Sequence, residues 1–278
     1  MSTTANIYTF RGRSIVGFIF ASVVSAIGFL WPFFVDANGG HENQINRFFF
    51  FAAAPIALSI LIMELSNSRL DSKSVALLGV LAAVTAALRP FGIGAIGIEP
   101  MWFILILSAR VFGPSFGFIL GITSLFVSAC FTGGFGPWLA YQMFAAGWIG
   151  LGAGLLPRSL AKREIRGRGE IVLLVGFSIF AAFLFGLLMD LQFWPWALGT
   201  DSQLSYIAGA SLSQNAHRFL IYHFASSMAW DLPRAIFTSV LVVLTAPSVL
   251  SALRRTQRRA AFLTPIEFSE HANVQKAL

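Results

Sequence analysis

Residues 171–189 read IVLLVGFSIFAAFLFGLLM, a run without a single charged side chain. An α-helix rises about 1.5 Å per residue, so a run of this length nearly crosses a hydrocarbon core of about 30 Å. Other apolar runs precede and follow it along the chain. We predict transmembrane helices over residues 15–34, 48–65, 74–88, 96–112, 115–131, 138–156, 170–190 and 232–252. The expected fold class is an all-α integral membrane protein.

The composition excludes an ordinary water-soluble domain. Hydrophobic residues make up 56% of the chain and charged residues 11%, whereas soluble domains contain about 25% charged residues. The formal net charge is +7, but the basic residues lie between apolar runs, which favours a membrane protein over a nucleic-acid binder. The first apolar run follows Arg11 and Arg13 as in a signal peptide. Its length and the lack of a small-residue cleavage site favour a retained anchor.

The lysines and arginines predict the orientation of the chain. With the N-terminus in the cytoplasm, the inner side holds Arg11, Arg13, Arg69, Lys73, Arg110, Arg158, Lys162, Arg163, Arg166, Arg168, Arg254, Arg255, Arg258, Arg259 and Lys276, and the outer side holds Arg47, Arg89, Arg218 and Arg234. This asymmetry predicts a multi-pass protein of the cell membrane with both termini in the cytoplasm.

The longest outer segment, residues 191–231, contains an apolar stretch too short to cross the membrane. We expect this segment to lie at the interface or to fold over the bundle. Asp231 and Pro233 suit the cap and the first turn of a helix, so the last span is predicted to begin there.

Motifs for chemistry are missing from the sequence. It contains neither the Gly-x-x-x-x-Gly-Lys-Ser/Thr phosphate loop nor the His-Glu-x-x-His zinc motif. The lone cysteine, Cys130, excludes a disulfide framework and a thiolate metal site. Residues 209–211, Gly-Ala-Ser, lack the second glycine of a serine-hydrolase elbow. We therefore expect no enzymatic activity, no cofactor and no metal.

Aromatic and polar residues concentrate at the predicted outer side. Trp138, Tyr141 and Gln142 follow the i, i+3, i+4 spacing of one helix face. The amide of Gln142 would be costly against lipid, which favours a ring-stacking pocket over an interfacial aromatic belt, the alternative for any single tryptophan. The glycine-rich loop at 133–136 is a plausible gate over that face.

The predicted substrate-binding residues are Arg89, Glu99, Trp102, Gly134, Trp138, Tyr141, Gln142, Trp194, Trp196, Trp230, Asp231 and Arg234. Asp190 is a further charge nearby. Replacement of Gln142 or Arg234 by alanine is expected to weaken binding without unfolding the protein.

Small residues recur at helical spacing on the third predicted span. Gly79, Ala83 and Ala87 are four residues apart, with Ala82 and Ala86 beside them. In lipid, such rows let two helices approach closely. The sequence leaves open whether the row packs within the chain or docks on a partner membrane protein.

Several motifs together are characteristic of one transporter family. They are residues 112–117 (FGPSFG) with Gly121, residues 133–143 (GGFGPWLAYQM), residues 147–154 (GWIGLGAG), residues 193–196 (FWPW) and residues 230–235 (WDLPRA). Through these motifs, residues 74–255 resemble the substrate-specific S components of energy-coupling factor (ECF) transporters. The last two motifs are similar to those of an actinobacterial subgroup.

The resemblance implies a six-helix substrate-binding core, which we place over residues 71–255. The two-span N-terminal extension over residues 1–70 departs from the plain six-helix pattern, and residues 256–278 are expected to form a cytoplasmic tail. The resemblance implies a subunit of an ABC importer that binds a vitamin or micronutrient at the extracellular side. It also implies partners, namely a membrane coupling (T) subunit and two cytoplasmic ATPases. Gly79, Ala82, Ala83, Ala86 and Ala87 are the candidate docking residues on the coupling subunit.

The sequence leaves alternatives open for the substrate and for the functional class of the protein. The subgroup resemblance favours cobalamin or a related corrinoid, while riboflavin and other vitamins stay open. A membrane-embedded enzyme acting on lipid would need acids or histidines clustered at one depth, and the sequence gives no sign of such a cluster. A structural membrane subunit would leave Gln142, Asp231 and Arg234 without a pocket.

Overall fold

The computed structural model describes residues 13–33, 52, 55–59, 62, 72–92, 97–160, 163–197, 202 and 204–259. Its α-helices are α1 (Arg13–Leu30), α2 (Ser72–Leu88), α3 (Met101–Phe112), α4 (Pro114–Thr132), α5 (Trp138–Leu155), α6 (Arg168–Ala197) and α7 (Leu212–Arg259). Short 3-10 helices follow α1 and α2, at Trp31–Phe33 and Arg89–Gly92. Strands β1 (Ser159–Leu160) and β2 (Arg163–Glu164) pair as a small antiparallel ribbon. The all-α prediction is confirmed.

Several of these helices are suited to a membrane. Within the described residues, five stretches are long and apolar enough to span one: Ile15–Phe33, Lys73–Gly92, Pro114–Thr132, Arg168–Ala197 and Leu212–Arg258. Helix α3 is apolar but shorter. The second predicted span, residues 48–65, lies largely outside the described residues, as does the tail from residue 260. The chain is thus a multi-pass membrane protein.

Glycine and proline separate the central helices, at the gaps between the predicted spans 96–112, 115–131 and 138–156. Gly113 ends α3 with its N–H bonded to the carbonyl of Ala109, and its φ of 102° is one that side chains with a Cβ rarely adopt. Pro114 then begins α4 at a position that needs no N–H. Gly133, with a φ of 67°, ends α4.

Helices α4 and α5 pack with their backbones in close contact. A Cβ built on Gly117 would overlap the carbonyl of Gly150, and a Cβ on Gly150 would overlap the carbonyl of Gly117. Gly154 abuts the backbone of Pro114 in the same way. The small-residue face of α5 therefore serves packing within the chain.

The last helix differs from its prediction. Helix α7 begins at Leu212 rather than near residue 232 and runs for 48 residues, about 72 Å. Pro233 and Pro247 lie inside it. The prediction that Asp231 caps a helix is wrong, because the early part of α7 packs on α6 through Phe219 and Tyr222 and keeps the chain helical upstream of Pro233.

An aromatic cap closes the end of the bundle where α6 ends and α7 begins. We define it as Trp31, Phe33, Trp194, Trp196, Tyr206 and Phe219. Trp194 is its centre, fully buried, with Nε1 donating to the carbonyl of Leu204 at 2.7 Å. Ring contacts join the end of α1 to α6 and α7, so this packing shapes the end of the bundle above the candidate site.

The opposite end is held by a buried ion cluster, which we call the arginine end: Arg110, Glu170 and Arg254. Glu170 accepts from Arg110 Nε at 2.8 Å and from Arg254 Nη2 at 2.6 Å, joining α3, α6 and α7. In the connection after α5, burial lowers the pKa of Arg158, and the positive charges of Arg110 and Arg254 lower it further. One buried carboxylate thus faces an excess of guanidinium groups.

Candidate solute-binding site

Two cavities lie at the end of the bundle away from the arginine end. The charged cavity, about 270 Å³, is lined by Arg89, Pro90, Gly92, Glu99, Thr132, Gly134, Trp138 and Trp230. The aromatic cavity, about 620 Å³, is lined by Pro137, Trp138, Gln142, Met189, Asp190, Gln192, Phe193 and Trp196. Trp138 lines both, so the two cavities adjoin at its ring.

The start of α5 positions the residues between these cavities. Pro137 precedes the helix, and Trp138 and Gln142 are one turn apart on it. Gln142 Oε1 accepts a hydrogen bond from Arg89 Nη2 at 3.1 Å. This bond ties the 3-10 turn after α2 to α5, and it gives the amide a polar partner instead of lipid.

A buried ion network lies behind the charged cavity. Arg234 donates from Nε to Glu99 Oε2 at 2.9 Å and from Nη1 to Asp231 Oδ1 at 2.6 Å. Trp102 Nε1 donates to the same Glu99 oxygen at 2.7 Å, and Ser227 Oγ donates to Asp231 Oδ2 at 2.7 Å. The network joins the start of α3 to α7 and fixes the carboxylate of Glu99 at the cavity wall.

Helix α6 leaves room for this network at a glycine. A Cβ on Gly186 would overlap the carboxylate of Asp231, which is completely buried. The loop before α3 approaches α7 as closely, since a Cβ on Gly97 would overlap the carbonyl of Trp230. Two glycines on other elements therefore determine how α7 presents its charged residues.

Asp190 forms a second polar cluster at the aromatic cavity. Its Oδ2 lies 2.8 Å from His223 Nδ1 and accepts from Ser226 Oγ at 3.4 Å. Sequence reasoning noted Asp190 as a nearby charge but left it out of the predicted site, together with Gln192 and Phe193. The available signal was an acid at the end of a long apolar run, because acids within membrane helices are uncommon and usually functional.

The structure brings most of the predicted site residues together. Seven of the twelve line one or both cavities: Arg89, Glu99, Gly134, Trp138, Gln142, Trp196 and Trp230. Three more, Trp102, Asp231 and Arg234, belong to the ion network behind the charged cavity. Ten of the twelve predicted residues thus line the two cavities or lie in the ion network behind them.

Tyr141 and Trp194 lie elsewhere. Tyr141 is fully buried, its hydroxyl donates to the carbonyl of Gly28 at 3.3 Å and its ring meets Phe29 edge-on at 4.8 Å. It therefore contacts α1 and does not share the surroundings of Trp138 and Gln142. Trp194 belongs to the aromatic cap.

A third cavity, about 720 Å³, lies beside that cap. Its described lining residues all fall within residues 204–221 and include none of the predicted site residues.

The small residues of α2 divide between two faces of the helix. Ala82 and Ala86 are buried against the bundle, whereas Gly79, Ala83 and Ala87 are exposed. A Cβ built on Gly79 would meet nothing within 4 Å. One row therefore packs inside the chain, and the other leaves a smooth outer face.

Comparison with known proteins identifies the family. The model of the family described as ECF transporter, substrate-specific component, matches residues 73–246, more than half of the chain. A search of curated proteins and a search of solved structures find no match. The matched region contains both cavities, the ion network and the exposed row of α2. The chain belongs to the substrate-specific components of ECF transporters, the membrane subunits that bind the substrate of an ECF importer.

Proposed function

We propose that this chain binds a vitamin or another ring-bearing micronutrient at the extracellular side of the cell membrane, for import by an ECF transporter. The observation that carries the proposal is the pair of cavities adjoining at Trp138, with Gln142 bonded to Arg89 in their shared wall. The volume of the aromatic cavity is within the range of roughly 300–1,000 Å³ found for small-molecule sites.

The charge distribution supports an extracellular location for the cavities. The arginine end and the nearby connection hold Arg110, Arg158, Arg166 and Arg254 around a small gap between helices. Positive charge of this kind is typical of the cytoplasmic side. The cavities lie at the other end of the same helices and would face the outside.

Energy for import would come from other chains. The sequence has no phosphate-loop motif, and the proposed partners are a membrane coupling subunit and two cytoplasmic ATPases. The exposed row Gly79, Ala83 and Ala87 is the proposed docking surface for the coupling subunit, because small side chains allow close helix contact. Ala82 and Ala86 are already used inside the bundle.

The proposed solutes differ in how they would use the site. Cobalamin or a related corrinoid, which the subgroup resemblance favours, would have to occupy both cavities around Trp138. A smaller ring system of riboflavin size would fit within the aromatic cavity alone. In both cases the rings of Trp138 and Trp196 would provide stacking surfaces.

Native mass spectrometry of the full chain, purified in mild detergent, tests the proposal. We expect one small molecule to be released per chain, and we expect it to be lost from Gln142→Ala. The matched control is Gln257→Ala, which removes an amide bonded to the carbonyl of Val111 near the arginine end and should keep the solute. Retention of the solute by both variants, or absence of any bound solute, would contradict the assignment.

A further inference from the structure

We propose that the solute is a ring-bearing organic cation whose positive charge lies against Asp190 in the aromatic cavity. This inference rests on the proposed function and narrows its substrate class to cations, which excludes neutral ring systems such as riboflavin. Three observations carry it: the composition of the cavity wall, the geometry of Asp190 and the balance of charges around it.

The wall of the aromatic cavity is suited to a cation. It combines the carboxylate of Asp190 with the amides of Gln142 and Gln192, and the described lining includes no lysine or arginine. Trp138, Phe193 and Trp196 contribute aromatic rings. Ring faces carry negative electrostatic potential and attract cations, and a group of rings around an acid is a common recognition site for alkylated or protonated amines.

The geometry of Asp190 leaves it able to meet a ligand. His223 and Ser226 both contact Oδ2, and among the described residues no hydrogen bond to Oδ1 is found. The side chain keeps 17% of its exposure and lines the cavity. A neutral imidazole donating from Nδ1 would hold the carboxylate in place without cancelling its charge.

In the part of the chain that the structure describes, the charges around Asp190 leave its carboxylate without a full counter-ion. Arg234 bonds both Glu99 and Asp231, and Arg89 interacts electrostatically with Glu99, so these two cations and two acids balance. Among the described residues, Asp190 is paired only with the imidazole of His223, and the charge of Asp231 repels it. A partly buried charge without a counter-ion is costly, and a cationic solute would supply the counter-ion. If His223 were protonated, it would supply this counter-ion instead. The charge of the bound solute therefore shows which of the two groups neutralises Asp190.

The test uses yeast extract, a mixture of water-soluble vitamins and other micronutrients, separated at pH 7 on a cation exchanger. Retained and unretained fractions are added to the purified full chain, and binding is followed by quenching of tryptophan fluorescence, because Trp138 and Trp196 line the cavity. We expect the retained, cationic fraction to quench. The bound compound is then identified by mass spectrometry.

The variants make the test specific for Asp190. With the identified compound, Asp190→Asn should bind at least about tenfold more weakly, since it loses a charged partner, and Asp190→Glu should recover part of the affinity. The control Glu164→Gln removes an exposed carboxylate paired with Arg166 near the arginine end and should bind as the unmodified chain does. Thermal melting of each variant checks that it is folded.

The outcomes separate this inference from the function it rests on. Quenching by the unretained fraction alone, or unchanged affinity in Asp190→Asn, would overturn the cationic substrate class and leave solute binding intact. Quenching by neither fraction would contradict solute binding itself and the substrate class with it.

Discussion

Asp231 shows at the residue scale how the site depends on distant positions. Its carboxylate is completely buried, and it is stabilised by Arg234 on the next turn of α7 and by Ser227 on the preceding one. It fits between α6 and α7 only because residue 186 has no side chain. Breaking a buried ion pair typically costs about 3–5 kcal/mol, so this position matters for stability.

Gly186→Ala is therefore expected to destabilise the protein by about 1–3 kcal/mol, the usual cost of overpacking a tight site. The added methyl group would push the carboxylate of Asp231 away from Arg234. Thermal or denaturant unfolding in detergent measures the change in the free energy of unfolding. Gly176→Ala is the matched control on the same helix, where an added Cβ meets nothing within 4 Å, and it should be neutral or slightly stabilising. Equal stabilities of the two variants would contradict this account.

The structure gives Arg234 a different role from the one predicted from the sequence. The sequence predicted that Arg234→Ala weakens binding and leaves the fold intact. In the structure Arg234 is buried and compensates both Glu99 and Asp231, so its removal is expected to lower stability as well as affinity. Sequence reasoning selected the residue as a charge on the predicted outer side, near the start of the last predicted span. It could not identify the role, because the partners are Glu99, which is distant in sequence, and Asp231, whose carboxylate needs the space left by Gly186.

At the scale of elements, α2 divides its small residues between a buried face and the exposed row that we propose for docking. Ala83 is exposed and Ala86 is buried. Leucine at position 83 should keep the fold and solute binding but weaken association with the coupling subunit. Leucine at position 86 should destabilise the chain itself by about 1–3 kcal/mol through overpacking.

Co-purification with the coupling subunit, together with thermal melting, distinguishes these two effects. Normal association of Ala83→Leu would remove the exposed row as a docking surface. A stable and normally packed Ala86→Leu would contradict its assignment to the core.

The prediction of α7 shows what local patterns can and cannot reveal about an element. Hydropathy located its second half, but the first half carries His217, Arg218 and His223 and so lacks a continuous apolar run. Asp231 and Pro233 also form a good start signal for a helix. The helix nevertheless begins upstream because Phe219 packs against Trp194 in the aromatic cap, a contact between distant parts of the sequence. The breaks at Gly113 and Gly133 were predictable because they depend on local backbone conformation alone.

At the scale of the whole molecule, an extracellular solute site and a cytoplasmic arginine end require the two ends of α7 to lie on opposite sides of the membrane. Ser213 near the start and Thr256 near the end are both exposed. In a Cys130→Ser background, Ser213→Cys should react with a membrane-impermeant maleimide on intact cells, and Thr256→Cys should react only after permeabilisation. This pattern follows from the positive charge around Arg254 and its neighbours. The reverse pattern would put the cavities on the cytoplasmic side.

The family match indicates that this chain is the solute-binding subunit and works with partner subunits, and the two cavities are its proposed solute site. The most direct measurement is uptake of the co-purifying solute into proteoliposomes containing this chain, either alone or with the coupling subunit and both ATPases. We predict that the chain alone binds the solute without accumulating it, and that accumulation requires all the subunits and ATP. Accumulation by the chain alone, or uptake by the full assembly that is indifferent to ATP, would contradict the account.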